Sequence, residues 1–312
     1  PHDGLGVGGA GREHVAGFEL VALLDGDVVV GRNVVLLAAD GDEVPALLGL
    51  SPWDSPLSMW LKMAGRAPWD AESQAMRRGN MLENAVLDWW LADHDECEDR
   101  GRQEWHQLQD EDWCGATPDM TVWNFAASDV GEPEFVDAKT TTDDEEAWWD
   151  GPPAHYLTSS MWQLAMAPHV KRVRLAVLFG RRLTLRTFTV ERDDELCGAL
   201  IDRAREFHLS LAADEPPPLS GMACEYDAIR KAHPEIDRGE TATIPADLAD
   251  EYVTAYRATK SLPAIQAAVL DAMGRAQYAD DPDGNRIARR QPSKGDAVAL
   301  YFAAKTSTEE TA

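Results

Sequence analysis

The sequence predicts an α/β or α+β sheet domain followed by a mostly helical C-terminal extension. Three observations carry this reading. Apolar residues recur at helical spacing up to about residue 94, then change near Gln103 to a period of two across five short segments. A helical segment of about three turns, Pro153–Met166, separates the third of these segments from the fourth. Finally, the proline run DEPPPLSG at 214–221 breaks periodicity ahead of a second helical block. The expected division is an N-terminal arm at 1–39, a sheet domain at 40–213 and an extension at 219–312 that includes a small hairpin.

Taken in order, GDEVPALLGLSP at 41–52 has acids in its first turn and a Gly-Leu-Ser-Pro stop, which predicts a short helix. Ser55-Pro56 suits an N-cap and a first-turn proline, opening a second helix that ends at Gly65. Residues 71–94 form the strongest helix: Met76, Leu82, Ala85, Val86, Trp89 and Trp90 recur at three- and four-residue steps. Trp89 and Trp90 are expected in the core, and Glu83 lies beside the stripe. The strand candidates are QEWHQLQ, DMTVWNF, EFVDAKT, VRLAVLF and LTLRTFTV, the last two forming a hairpin around Gly180. Helices are expected at 193–211 and 247–273, and a hairpin at QYADDPDGNRIARR turning on Asp283-Gly284.

With 312 residues the chain can bury a sizeable core, and no apolar run approaches the ~20 residues of a membrane span. The N-terminal PHDGLGVGGAGREH lacks a secretory pattern, and four scattered cysteines without a C-x-x-C pair argue against a zinc ribbon or disulfide framework. The expected setting is a reducing cytoplasm, that of a host cell if the protein is phage-encoded. A formal charge of −26 repels nucleic acid at long range, through adaptation of the whole surface or through mimicry of DNA. Basic residues concentrate at 171–174, 181–182, Arg186 and Arg286/Arg289/Arg290, which are phosphate contacts on one reading and solvated strand faces on the other.

Lysine is scarce here, seven against 22 arginines, yet Lys139 stands two residues after Asp137 on a strand, so the two share a face. If the preceding strand pairs with it, Asp119 comes close to Asp137. Carboxylates so placed repel unless a cation neutralises them, and magnesium is the natural one. Lys139 would then hold or deprotonate a water facing a scissile phosphate, and Glu83 would add a third carboxylate. Alone, Asp-x-Lys is also the pattern of a surface ion pair.

Five segments in order, LLGLSPWDSPLSMWLKMAG, RRGNMLENAV, WCGATPD, FVDAKT and HYLTSSMWQLAM, resemble the landmarks of the YqaJ-type viral recombinases. These are the lambda-exonuclease-like branch of the PD-(D/E)xK nucleases, and the resemblance spans about residues 40–190. MGRAQYADDPDGNRIARR is similar to the tail of longer members. The resemblance implies a restriction-endonuclease-like core, a central mixed sheet flanked by helices. It implies Mg²⁺ or Mn²⁺ held by Asp119, Asp137 and the Ala138 carbonyl with Glu83 nearby, Lys139 orienting the water, and Gln163 completing the site. It also implies an exonuclease that resects linear duplex DNA from its ends, usually 5′→3′, beside a single-strand annealing protein and often as a ring of subunits.

Two departures stand out. Asp137 replaces the usual glutamate, and Ser159 stands three residues after Tyr156 where the family has glutamine. Tyr156, Ser159 and, by a weak match, Arg32 are the expected substrate contacts, and Trp148-Trp149 could wedge apart the strands. The alternatives are a structure- or site-specific endonuclease on the same fold and a non-catalytic acidic DNA mimic.

Overall fold

The computed structural model describes residues 13–14, 43–109, 113–126, 128–143, 145–239, 241–292 and 298–302. The chain divides into two compact units, Pro1–Ile236 and Asp237–Ala312.

The first unit is built on one mixed sheet. Its strands are β1 (Glu13–His14), β2 (Cys97–Arg102), β3 (Met120–Asn124), β4 (Glu132–Thr141), β5 (Arg172–Phe179) and β6 (Thr184–Glu191), in spatial order β1-β6-β5-β4-β3-β2. The pairs β2·β3, β3·β4 and β5·β6 are antiparallel, whereas β4 and β5 run parallel. A parallel pair needs a crossover, and α4 (Ala154–Met166) supplies it.

Alternation along the strands assigns each face of the sheet. Phe135, Leu175, Val177, Phe179 and Phe188 point into the larger core with α1 (Glu43–Leu47), α2 (Pro56–Met63), α4 and α5 (Asp194–Ala213). Val136, Ala176 and Leu178 point the other way, onto Val86, Leu87 and Trp90 of α3 (Gln74–Ala92). Local chemistry sets the helix ends. Ser55 and Ser58 cap α2 reciprocally, each hydroxyl accepting from the other's N–H, and the Ser73 hydroxyl accepts from Met76 N. The proline run is followed by α6 (Ala223–Ala232), which packs on α2 inside the first unit.

Several expectations change. QEWHQLQ is not a strand: the strand is the preceding CEDRGR, and His106 makes only an isolated bridge to Ala116. On α3, Met76, Ala85 and Trp89 are exposed, Trp89 at 43%, while Leu87, outside the expected stripe, is fully buried. Trp148 is core, packed against Tyr156, Phe179 and Phe188 at centroid distances of 5.5–5.8 Å, and only Trp149 faces solvent.

The second unit contains α7 (Ala246–Met273) and a three-stranded antiparallel sheet of β7 (Tyr278–Asp280), β8 (Arg286–Pro292) and β9 (Val298–Phe302). The expected hairpin is present, with Gly284 at φ +87 and the Asp281 carboxylate accepting from Asp283 N and Asn285 N. No helix among the described residues is long and apolar enough to cross a membrane.

Candidate active site

The site arises where a strand ladder stops. β3 pairs with β4 only as far as Met120 opposite Val136, whereas β4 continues along β5 to Thr141. Past Val136, the β3-side edge of β4 therefore has no strand neighbour among the described residues. Asp119, the residue just before β3, fills the gap: its Oδ2 accepts from the Ala138 N–H at 2.7 Å. The N–H and C=O of one strand residue project to the same edge, so the Ala138 carbonyl faces this gap as well.

Asp137 and Lys139 project together on the α4 face. Lys139 Nζ lies 2.7 Å from Asp137 Oδ2, an ion pair rather than a well-aligned hydrogen bond. Asp137 Oδ1 accepts from Gln163 Nε2 of α4 at 3.1 Å. Both oxygens of this buried carboxylate are thus engaged by side chains at its own end of the strand. Gln163 is itself fully buried, and its Oε1 has no hydrogen-bond partner among the described residues.

Glu83 reaches the site from α3 on the opposite side of β4. Its Oε1 accepts from Gln103 Nε2 at 2.9 Å, and the same nitrogen lies 3.2 Å from Asp119 Oδ1. The two candidate carboxylates are joined through one amide.

A groove of about 870 Å³ opens over these groups, with Glu83, Gln103, Asp119, Ala138 and Lys139 in its lining. Arg78, Trp53, His155 and Tyr156 also line it. Tyr156, an expected substrate contact, lines the groove, with Lys139 Nζ 6.0 Å from its ring centre. Ser159 does not line the groove: it is buried, and its hydroxyl donates to the His155 carbonyl. Arg32 lies outside the described residues.

Electrostatics favour a cation here. Burial pushes the Asp119 carboxyl well above the ordinary carboxylate range, and the neighbouring charges of Asp137 and Glu83 push it further, against the opposing pull of Lys139 and the Ala138 N–H. Hard oxygen donors under this mutual repulsion fit magnesium or manganese. Among the described residues no three His, Cys, Asp or Glu side chains make a closed cage. Magnesium, however, commonly takes one or two carboxylates and keeps several waters. His155 is held below the usual imidazole range by burial and by the charge of Lys139.

The basic spots singled out in the sequence are mostly turned to acids. Lys171 pairs with Glu132, Arg172 with Glu134 and Glu191, Arg174 with Glu134, and Arg186 with Glu145. In the second unit Arg286 pairs with Asp280, and Arg290 donates to the Gly274 carbonyl. Arg78, which the sequence reading passed over, lines the groove and has no ion pair among the described residues. Gln103 was also missed, because its segment reads as a strand and an amide carries no charge signal.

Residues 41–169 match the YqaJ-like viral recombinase domain family. A Bacillus subtilis (strain 168) protein described as uncharacterized protein YqaJ is 24% identical over 216 residues, covering 66% of this chain and 63% of its own length. The chain therefore spans less than two thirds of that relative. Among solved structures, an alkaline exonuclease from Laribacter hongkongensis is 16% identical, with a TM-score of 0.46 over 64% of this chain and 94% of that one. A phage related exonuclease from Haemophilus somnus 129PT is 13% identical, with a TM-score of 0.42 over 57% of this chain and 96% of that one.

Proposed function

We propose that this chain, whose residues 41–169 match the YqaJ-like viral recombinase domain family, is a metal-dependent exonuclease that resects linear duplex DNA from its ends, 5′→3′. The observation that carries the reading is the open edge of β4, where Asp119, Ala138 and Lys139, the last paired with the buried Asp137, line a groove.

Asp119 and the Ala138 carbonyl would hold Mg²⁺ or Mn²⁺; Asp137, expected as a further ligand, has its oxygens engaged by Lys139 and Gln163 and would, with Glu83, add negative charge around the ion. The ion would supply Lewis-acid polarisation of the phosphate and a lowered pKa for the attacking water. Lys139, fixed by Asp137, presents a cationic donor that orients water and meets charge developing on phosphate oxygens. Gln163 holds Asp137 from below, so the Asp-Lys pair keeps one geometry. Arg78 on the groove wall, which has no ion pair among the described residues, gives the backbone of a DNA strand a cation. We extend the reading to phage-type recombination: the single strand released would be taken up by a single-strand annealing protein, and subunits would assemble as a ring around the duplex.

Linear duplex labelled at either the 5′ or the 3′ end, incubated with Mg²⁺ beside a covalently closed circle, tests the proposal. Release of 5′ label with an untouched circle is the expected result. Nicking of the circle would favour an endonuclease, and no digestion with any divalent ion would favour the DNA mimic.

A further inference from the structure

We propose that Gln103 is a positioning residue for the metal site, coupling the Glu83 carboxylate on α3 to the metal-holding Asp119 on the sheet. The inference rests on the nuclease reading above.

Three contacts hold Gln103 in place. Its backbone N–H donates to the Asp119 carbonyl at 3.2 Å, while its Nε2 lies 2.9 Å from Glu83 Oε1 and 3.2 Å from Asp119 Oδ1. Two carboxylate oxygens facing one point call for a donor, and an amide nitrogen carries two N–H bonds without adding charge. The local backbone is shaped for this. A bulge at Asp99/Gly101 bends the edge strand β2, and Gln103 sits at φ +54, a left-handed conformation that glutamine seldom adopts. Nothing in local turn chemistry asks for glutamine there. The residue type answers to the two carboxylates, whose orientation the amide fixes before a cation arrives.

The test is Mn²⁺ binding to the full chain, measured by calorimetry without DNA, for wild type, Gln103→Gly and Gln103→Asn. Glycine adopts φ +54 freely and removes the amide. Asparagine tolerates the same backbone but is one methylene too short to span both carboxylates. Thermal melting within a few degrees of wild type identifies folded variants. The expected result is Mn²⁺ affinity roughly 10–100-fold weaker in both variants, as is typical when partners that orient metal ligands are lost. Affinity within twofold of wild type in either folded variant overturns the proposal while leaving the nuclease reading intact. A wild type that binds no Mn²⁺ overturns both.

Discussion

Lys139 Nζ and Asp137 Oδ2 stand 2.7 Å apart on one face of β4, and the carboxylate is almost wholly buried while the lysine reaches the groove. The pair joins the interior of the protein to the candidate active site. Replacing Lys139 with methionine keeps the aliphatic stem and deletes the charge. Mg²⁺-dependent digestion of linear duplex should fall at least about 10²-fold, the usual effect of removing a donor aimed at developing charge. Kinetics on end-labelled duplex, with circular dichroism to confirm the fold, check this.

Gln163→Leu should act on stability before chemistry. It strips Asp137 Oδ1 of its donor while keeping the site apolar and filled. Leaving a buried carboxylate oxygen unpaired costs about 1–3 kcal/mol, readable as a lower midpoint in urea unfolding.

Arg78→Ala should weaken DNA binding without touching the metal. Loss of one phosphate contact reduces the slope of log K against log salt by about 0.9. Fluorescence anisotropy on a duplex end across a salt series, together with an unchanged Mn²⁺ titration, would show it.

Asp70 joins α2 to α6 by accepting from both Lys62 and Lys231. Those two donors lower its carboxyl from an ordinary 3.8 to about 2. A depressed carboxylate adds stability above its unfolded pKa and loses it as pH falls through the folded one. The stability gap between wild type and Asp70→Asn should therefore be full at pH 6 and close as pH drops from about 4 to about 2. Asp70 is more than half exposed, so the gap itself will be modest. Urea unfolding at a series of pH values measures it.

The two adjacent tryptophans should behave oppositely. Trp148→Ala removes a core ring and should destabilise by about 3–5 kcal/mol. Trp149→Ala should change stability by no more than about 0.5 kcal/mol. If Trp149 separates strands, its variant will resect duplex slowly while still degrading single strands at the normal rate.

Much of the fold was legible because it rests on local signals. Ser55-Pro56 marked α2, and alternation marked β3 through β6. β2 was not, since CEDRGR is a polar edge strand: its burial alternates between half-buried and exposed, but charged residues and glycine, not apolar side chains, fill most of it. β9 was not assigned, although its Val, Tyr and Phe are residues that strands favour. Within the candidate site, Asp119, Asp137, Lys139 and Glu83 were singled out from charge, spacing and the family resemblance. Gln103 and Arg78 were not: one is neutral, and the other matters only through the absence of a neighbouring acid. The basic clusters stayed ambiguous for the converse reason, because cross-strand partners such as Glu134 cannot be read from a run of arginines.

The early end of β3 has a further consequence, for tolerance to mutation. What the site takes from position 138 is main chain, an N–H bound to Asp119 and a carbonyl facing the gap. Every amino acid except proline supplies both, so the position can drift among small residues that fit beside the α3-side core without altering the chemistry. Ala138→Pro would delete the donor, Ala138→Gly or Ala138→Ser would keep it, and variation confined to that pattern would be the trace of a function held in the backbone.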